Sequence, residues 1–289
     1  MPTVTRPSQN APVQRTTGTT SANGLKNGRF AGDATLENVA AGRATIGNGA
    51  KGPTVKKVQQ ALLDMGFALK QYPSKTTGKP VAGVDGEFGA QSRNALLNFQ
   101  RHAVKFFPDV KQTGTLDQAT LKALDALAPA PGNKAWAPAE KPKTPVPYFN
   151  GVPVRIVVVK DEHRTYLFDK NGKVQGIFAN AIGAKGHSTE TGLKVVRTRL
   201  DQKASEATGK ALWNNPKVFG PRIIDLSWAD GRTSGEELHG TATPHEQGLD
   251  VSKGCVRHYN DDIVTMFDSI AVGEKVAIVE SLNDPRLKK

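Results

Sequence analysis

Leu238-His239-Gly240-Thr241, followed by Ser252-Lys253-Gly254-Cys255-Val256-Arg257-His258, is the stretch on which the chain turns, and it holds the single cysteine among 289 residues. A thiol reacts as thiolate, yet a free cysteine with a pKa near 8.5 is mostly protonated at neutral pH. A histidine within hydrogen-bond reach accepts that proton, and a third group must orient the imidazole, which a backbone carbonyl does as well as a carboxylate. Cys255 is therefore a candidate nucleophile. Gly254 before it permits a tight turn in which the N–H groups of Gly254 and Cys255 face a developing oxyanion. A zinc site drawn from His239, His245, Cys255 and His258 is the rival reading. Its wide middle spacing fits no recognised ligand pattern, so no metal and no cofactor is expected.

The same residues resemble the active-site motif of the L,D-transpeptidase catalytic domain, a His-Gly pair followed about 15 residues later by [ST]-H-G-C-[VIL]-R. The resemblance implies that His239 is the base, that the Gly240 carbonyl orients it, and that Cys255 is acylated. Ser252, Gly254 and Arg257 match too, while Asn260 and Asp262 fall where the family opens its next helix with polar residues. Ser188-Thr189-Glu190-Thr191-Gly192 is similar to the family's T-P-T-G turn without its proline. Lys253 stands where the family has histidine. An ammonium there lowers a thiol pKa but does not accept a proton near neutrality, so it is expected to alter substrate contacts or pH dependence. Arg257 is read as a carboxylate clamp because its planar fork binds carboxylates in bidentate fashion; a salt bridge to Asp261 or Asp262 is the plainer alternative. Thr241, Ser252 and Lys253 complete the expected substrate contacts.

Upstream, Val154 to Val159, Thr165 to Phe168 and Val174 to Ile182 are apolar, β-branched runs, the last two flanking the hairpin signal Asn171-Gly172. Leu193 to Arg197, Arg222 to Leu226 and Lys275 to Val279 are further strands. Ile263, Met266, Phe267 and Ile270 mark one helix face from Asn260 to Ser269. Many short strands with one helix predict a mainly β, sandwich-like or barrel-like catalytic domain over residues 152–281, with a tail at 282–289. Trp213, Phe219 and Trp228 are assigned to core packing, with a substrate groove as the alternative. His102, His163 and His187 are expected to be structural or surface groups.

Before this lies a helical region. Pro53 suits a first helical turn, Val55, Val58, Leu62 and Met65 share one face, and Gly66 ends the helix. Then Gly86 to Leu96 aligns without gaps to Gly114 to Leu124 as G-x-Φ-x-x-x-[ST]-x-x-A-L. A glycine turn, an apolar plug and a helix with an inward Ala-Leu pair, used twice after the first helix, predict a three-helix bundle over residues 45–128. Gly52-Pro53, Leu62, Gly66-Phe67, Asp85-Gly86, Phe88-Gly89 and Phe99-Gln100 resemble the peptidoglycan-binding module, with a longer loop over residues 70–83 than is usual there. Residues 1–44 are read as a disordered tail with at most a short helix from Asp33 to Ala41. Six prolines between Ala128 and Pro147 predict a semi-rigid spacer over residues 129–151.

The net charge is +12, but residues 150–289 hold 20 basic and 18 acidic groups, so the excess lies in the first half. That half suits an acidic polymer. No basic run, finger spacing or aromatic RNA-binding pattern points to nucleic acid, and no apolar stretch reaches the ~18 residues of a membrane span. One cysteine excludes an intramolecular disulfide framework. The resemblances imply a monomeric enzyme of the periplasm or cell envelope, or a secreted one, with peptidoglycan glycan and stem peptides as its partners. Cys255 would release D-alanine from a tetrapeptide as a thioester forms. An amine acceptor then gives a cross-link, water an L,D-carboxypeptidase and a D-amino acid an exchange product. The first 32 residues lack a signal-type apolar core, which raises an unusual export route, a mature form or an injected antibacterial effector. A non-catalytic peptidoglycan-binding scaffold is the reading from another class.

Overall fold

The computed structural model describes residues 23–74, 76–136 and 144–289. The expectations for residues 1–22 and for the linker core at 137–143 lie outside these. The chain builds a helical region followed by a sheet-rich domain.

The helical region contains α1 (Ala34–Ala40), α2 (Pro53–Asp64), α3 (Ala90–Ala103) and α4 (Gln118–Leu127). The internal echo has a hydrogen-bonding cause. In the first copy Gln59 of α2 accepts from Gly86 N–H at 2.8 Å and donates to Ser92 Oγ at 2.9 Å. In the second, Gln100 of α3 accepts from Gly114 N–H at 2.7 Å and donates to Thr120 Oγ1 at 3.1 Å. Each buried glutamine thus ties a glycine turn to the helix that follows it, satisfying polar groups that burial would otherwise penalise. Phe88 and Leu116, the two plugs, are buried.

Three boundaries differ from expectation. Residues 23–44 belong to the folded region: Phe30, Leu36 and Val39 are buried, and Asp33 caps α1. The start of the linker is also anchored, since Arg29 donates to Pro129 O and pairs with Asp64, and Ala135 N–H donates to Asp64 O. Prolines fix φ but leave carbonyls free to accept, which is why a proline-rich stretch can still pack. The C-terminal residues 282–289 likewise bond back, with Arg286 O and Lys288 O accepting from Asn150 and Gly151.

The sheet comprises β1 (Ile156–Val159), β2 (Arg164–Phe168), β3 (Val174–Gly183), β4 (Gly192–Leu200), β5 (Ile223–Trp228), β6 (Thr233–His239), β7 (Asp250–Ser252), β8 (Val256–His258) and β9 (Lys275–Val279). Its order is β7-β3-β8-β6-β5-β4-β9-β1-β2, and β2 pairs again with β3. That last pairing closes eight strands into a ring, so the domain is barrel-like rather than a sandwich, and closure removes the free edges of the ring while β7 lies outside it on β3. Helices α5 (Gln202–Trp213) and α6 (Asn260–Ser269) accompany it.

The unbroken apolar run of β1 follows from its two faces. Ile156 and Val158 join a cluster to which all eight ring strands contribute, along with Ile263 and Met266 of α6. Val157 and Val159 point the other way, into a cluster shared with Leu62, Met65 and Phe67 of the helical region. A strand buried on both faces loses polar alternation. At Gly66 an added Cβ would sit 2.6 Å from Ile177 O of β3. The spacer therefore joins two regions that pack directly against each other.

Polar groups join the two regions as well. Glu162, fully buried, meets His102 Nδ1 at 3.0 Å and Lys105 Nζ at 2.6 Å from α3 and its C-terminal extension. Arg164, also buried, donates to Met65 O at 2.6 Å and stacks on Phe67. Lys70 pairs with Asp261 at 2.7 Å and Asp262 at 2.5 Å at the start of α6.

Candidate active site

Parallel pairing of β6 with β8 sets Leu238 beside Val256 and His239 beside Arg257. This brings the two halves of the motif together: ligand atoms of Glu237, His239 and Cys255 all lie within 4.8 Å of one another. His239 is buried, and its Nδ1 donates to Gly240 O at 2.6 Å, leaving Nε2 without a proton. Phe219 meets the ring edge-on, with centroids 4.9 Å apart. An added Cβ at Gly240 would sit 2.4 Å from Asn260 Oδ1 and 2.9 Å from Pro221 Cδ, so the carbonyl reaches the imidazole only because residue 240 is glycine. Asn260 Oδ1 also accepts from Thr241 N–H at 2.8 Å.

The nucleophile loop is fixed from within. Ser252 Oγ donates to Cys255 O at 2.6 Å and accepts from Gly254 N–H at 3.1 Å. Gly254 has φ +114, and its carbonyl accepts from Thr189 Oγ1 at 2.7 Å, which in turn accepts from Gly183 N–H at 2.9 Å. Of the two N–H groups expected to face an oxyanion, that of Gly254 is thus already engaged by Ser252.

Burial governs the protonation states. It pushes the Cys255 thiol up to about 12, reinforced by the Glu237 carboxylate and opposed by a Glu237 backbone hydrogen bond and Arg257. It pushes His239 down to about 4, with the bond to Gly240 opposing and Arg257 assisting. Both partners therefore rest neutral. Glu237 is raised to about 7 by burial and by Asp225, against Arg197.

Arg257 pairs with Glu246 at 2.8 Å, not with Asp261 or Asp262, which Lys70 holds. Glu246 also accepts from Thr243 Oγ1. Lys253 Nζ lies 4.5 Å above the ring of Trp213, an exposed residue ending α5. Of the aromatic trio, Phe219 is buried against His239, whereas Trp228 carries Lys194 over its ring. The zinc quartet does not assemble. His258 is buried and bonded to Thr165 Oγ1 at 2.9 Å, and exposed His245 faces Tyr72. The cluster that does form replaces both with Glu237, which the motif spacing left out. Glu246 was likewise silent, and Thr189 was noted only within its turn, since its bond to Gly254 O spans 65 residues.

Each of the two regions matches a known family. Residues 153–278 match the family described as "L,D-transpeptidase catalytic domain", and residues 51–124 match "Putative peptidoglycan binding domain". The match places an L,D-transpeptidase catalytic domain at residues 153–278. "Putative L,D-transpeptidase YqjB" of Bacillus subtilis (strain 168) is 28% identical over 147 residues, 50% of this chain and 78% of the relative. "Probable L,D-transpeptidase ErfK/SrfK" of Escherichia coli (strain K12) is 46% identical over 140 residues, 43% of this chain and 44% of the relative. Among solved structures, the L,D-transpeptidase (residues 123–326) from Xylanimonas cellulosilytica is 19% identical, with a TM-score of 0.45 over 81% of this chain and 97% of that one.

Proposed function

We propose that the protein acylates Cys255 with a peptidoglycan stem tetrapeptide and transfers the acyl group to an amine. The observation that carries this is the gathering of the thiol and an Nδ1-anchored imidazole within 4.8 Å. Nε2 of His239 takes the Cys255 proton as sulfur attacks the carbonyl preceding the terminal D-alanine. The tetrahedral oxyanion is met by the Cys255 N–H, since Gly254 N–H is bonded to Ser252. The imidazolium returns the proton to the departing D-alanine nitrogen, leaving a thioester. An incoming amine, deprotonated by the same Nε2, expels the sulfur and forms the cross-link. Arg257, oriented by Glu246, binds a substrate carboxylate, and Thr241, Ser252 and Lys253 border the path. This chemistry belongs in the cell envelope, where its polymer is found, and the peptidoglycan binding domain raises the local concentration of substrate.

The test is mass spectrometry of defined tetrapeptide muropeptides incubated with the protein and with Cys255→Ala. Cross-linked dimer that disappears in the variant is the expected result. Loss of D-alanine alone identifies water as the acceptor, and activity retained by Cys255→Ala overturns the mechanism.

A further inference from the structure

A cavity of about 910 Å³ opens beside the motif, within the roughly 300–1,000 Å³ range of small-ligand sites. Thr241 and Asn260 line it on the side of the reacting groups, and Gln202 and Glu206 of α5 line it further out. Its opposite wall comes from the helical region: Tyr72 and Val81 belong to the long loop over residues 70–83. Both ends of that loop are held in place. Tyr72–Pro73 pairs antiparallel with Pro80–Val81, Gly83 N–H donates to Gln91 Oε1 at 2.8 Å, and Lys70 is clamped to the start of α6 by Asp261 and Asp262. The Tyr72 ring stands 6.3 Å from that of His245, which also lines the groove.

We propose that this groove is a composite glycan subsite, in which the loop of the peptidoglycan binding domain presents Tyr72 to an N-acetylated sugar of the strand being processed. The inference rests on the function proposed above and adds the sugar to the substrate that the enzyme reads. Three features choose a sugar over a bare peptide. An aromatic face offers the flat apolar surface on which the C–H face of a pyranose packs. Glu206 and Gln202, themselves joined at 2.9 Å, supply the fixed acceptor and amide that hydroxyl and acetamido groups require. Thr241 on the groove wall lies two residues from His239 in the chain, and its N–H is bonded to Asn260 on the same wall, so a sugar bound there sits on the side of the groove nearest Cys255 and its stem peptide. The helical region thereby acts as a wall of the site in addition to any tethering.

The experiment uses the full chain carrying Cys255→Ala, so that binding is read without turnover, and titrates it by calorimetry with a disaccharide-tetrapeptide and with the sugar-free tetrapeptide. The disaccharide form is expected to bind about tenfold more tightly, and Tyr72→Ala to bring the two within about twofold. Lys170→Ala, on the remote hairpin, preserves the difference. Equal binding of both ligands by the parent, or a difference that survives Tyr72→Ala in a folded variant, overturns the subsite. The active protein separates the two proposals. A sugar-dependent Kd with no turnover by the wild-type chain leaves the subsite standing and removes the proposed reaction. Turnover with equal Kd values does the reverse.

Discussion

The imidazole of His239 is held by the carbonyl of the next residue, Gly240, at 2.6 Å. No carboxylate takes the orienting position, so the tautomer depends on a peptide group whose placement depends on close approach of Gly220, Pro221 and Asn260. Gly240→Ala forces a Cβ against Asn260 Oδ1 and displaces that carbonyl. A displacement of about 1 Å is expected to lower kcat about 100-fold, and overpacking to cost about 1–3 kcal/mol of stability. D-alanine release and urea denaturation check the two effects. A variant with near-native turnover contradicts the orienting role.

Glu237 predicts an unusual pH profile. Its carboxyl titrates near 7, and the ionised form raises the Cys255 thiol further. Below that pH Glu237 is neutral and thiolate formation is easier; above it a negative charge faces the sulfur. Acylation of Cys255 is therefore expected to slow by roughly tenfold as pH rises through 7. Glu237→Gln removes this alkaline decline. On the acid side His239 remains an unprotonated base down to about 4, so the acid limb lies well below the ordinary histidine value of 6.5. Stopped-flow or quenched mass spectrometry across pH 3–9 measures both limbs.

That Cys255 and His239 are candidates for one site was legible because both halves of the motif are short, local and chemically distinctive. Their meeting is a long-range event, yet it required only that two adjacent strands run parallel, as β6 and β8 do. Glu237 was not legible, since in sequence it is one of two consecutive acids and only the strand's pleat turns it toward sulfur. Helix α5 escaped for another reason. Its only buried residues are Ser205 and Gly209, while Leu212 and Trp213 are exposed, so it lacks the apolar stripe that announces a helix. The strands were read from β-branched runs, but ring closure by β2 and β3 leaves no local trace. Packing of the helical region on the barrel was hidden in the continuous apolar character of β1, which a buried strand of any two-sided sheet would share.

Ser252 carries the shape of the nucleophile loop through one hydroxyl. It bonds Cys255 O and Gly254 N–H, and the residue is buried. Ser252→Ala leaves both backbone groups without that partner, which is expected to cost about 1–3 kcal/mol. The thiol then shifts relative to Nε2, so kcat for D-alanine release should fall while binding of tetrapeptide to the variant changes little. An unaltered kcat would show that Thr189 alone, through Gly254 O, holds the loop.

Glu162 makes a prediction about how the two regions hold together. Its fully buried carboxylate accepts from Tyr166 Oη at 2.9 Å and faces Lys105, Arg164 and His102. Burial alone would raise its pKa, but these positive and hydrogen-bonding neighbours hold it well below the usual carboxylate range. Glu162→Gln keeps the shape and removes the charge, which strands the buried Arg164 cation between the regions and leaves Lys105 paired with Asp161 alone. Breaking one partner of such a cluster costs about 3–5 kcal/mol. The native chain is expected to unfold in urea as one transition, because the barrel and helical region share both the apolar cluster of Val157 and Val159 and this ion network. In the variant the midpoint falls and the helical region unfolds first, seen as early loss of helical circular dichroism before the buried Tyr166 is exposed. Coincident transitions at the native midpoint would mean that apolar contact alone joins them.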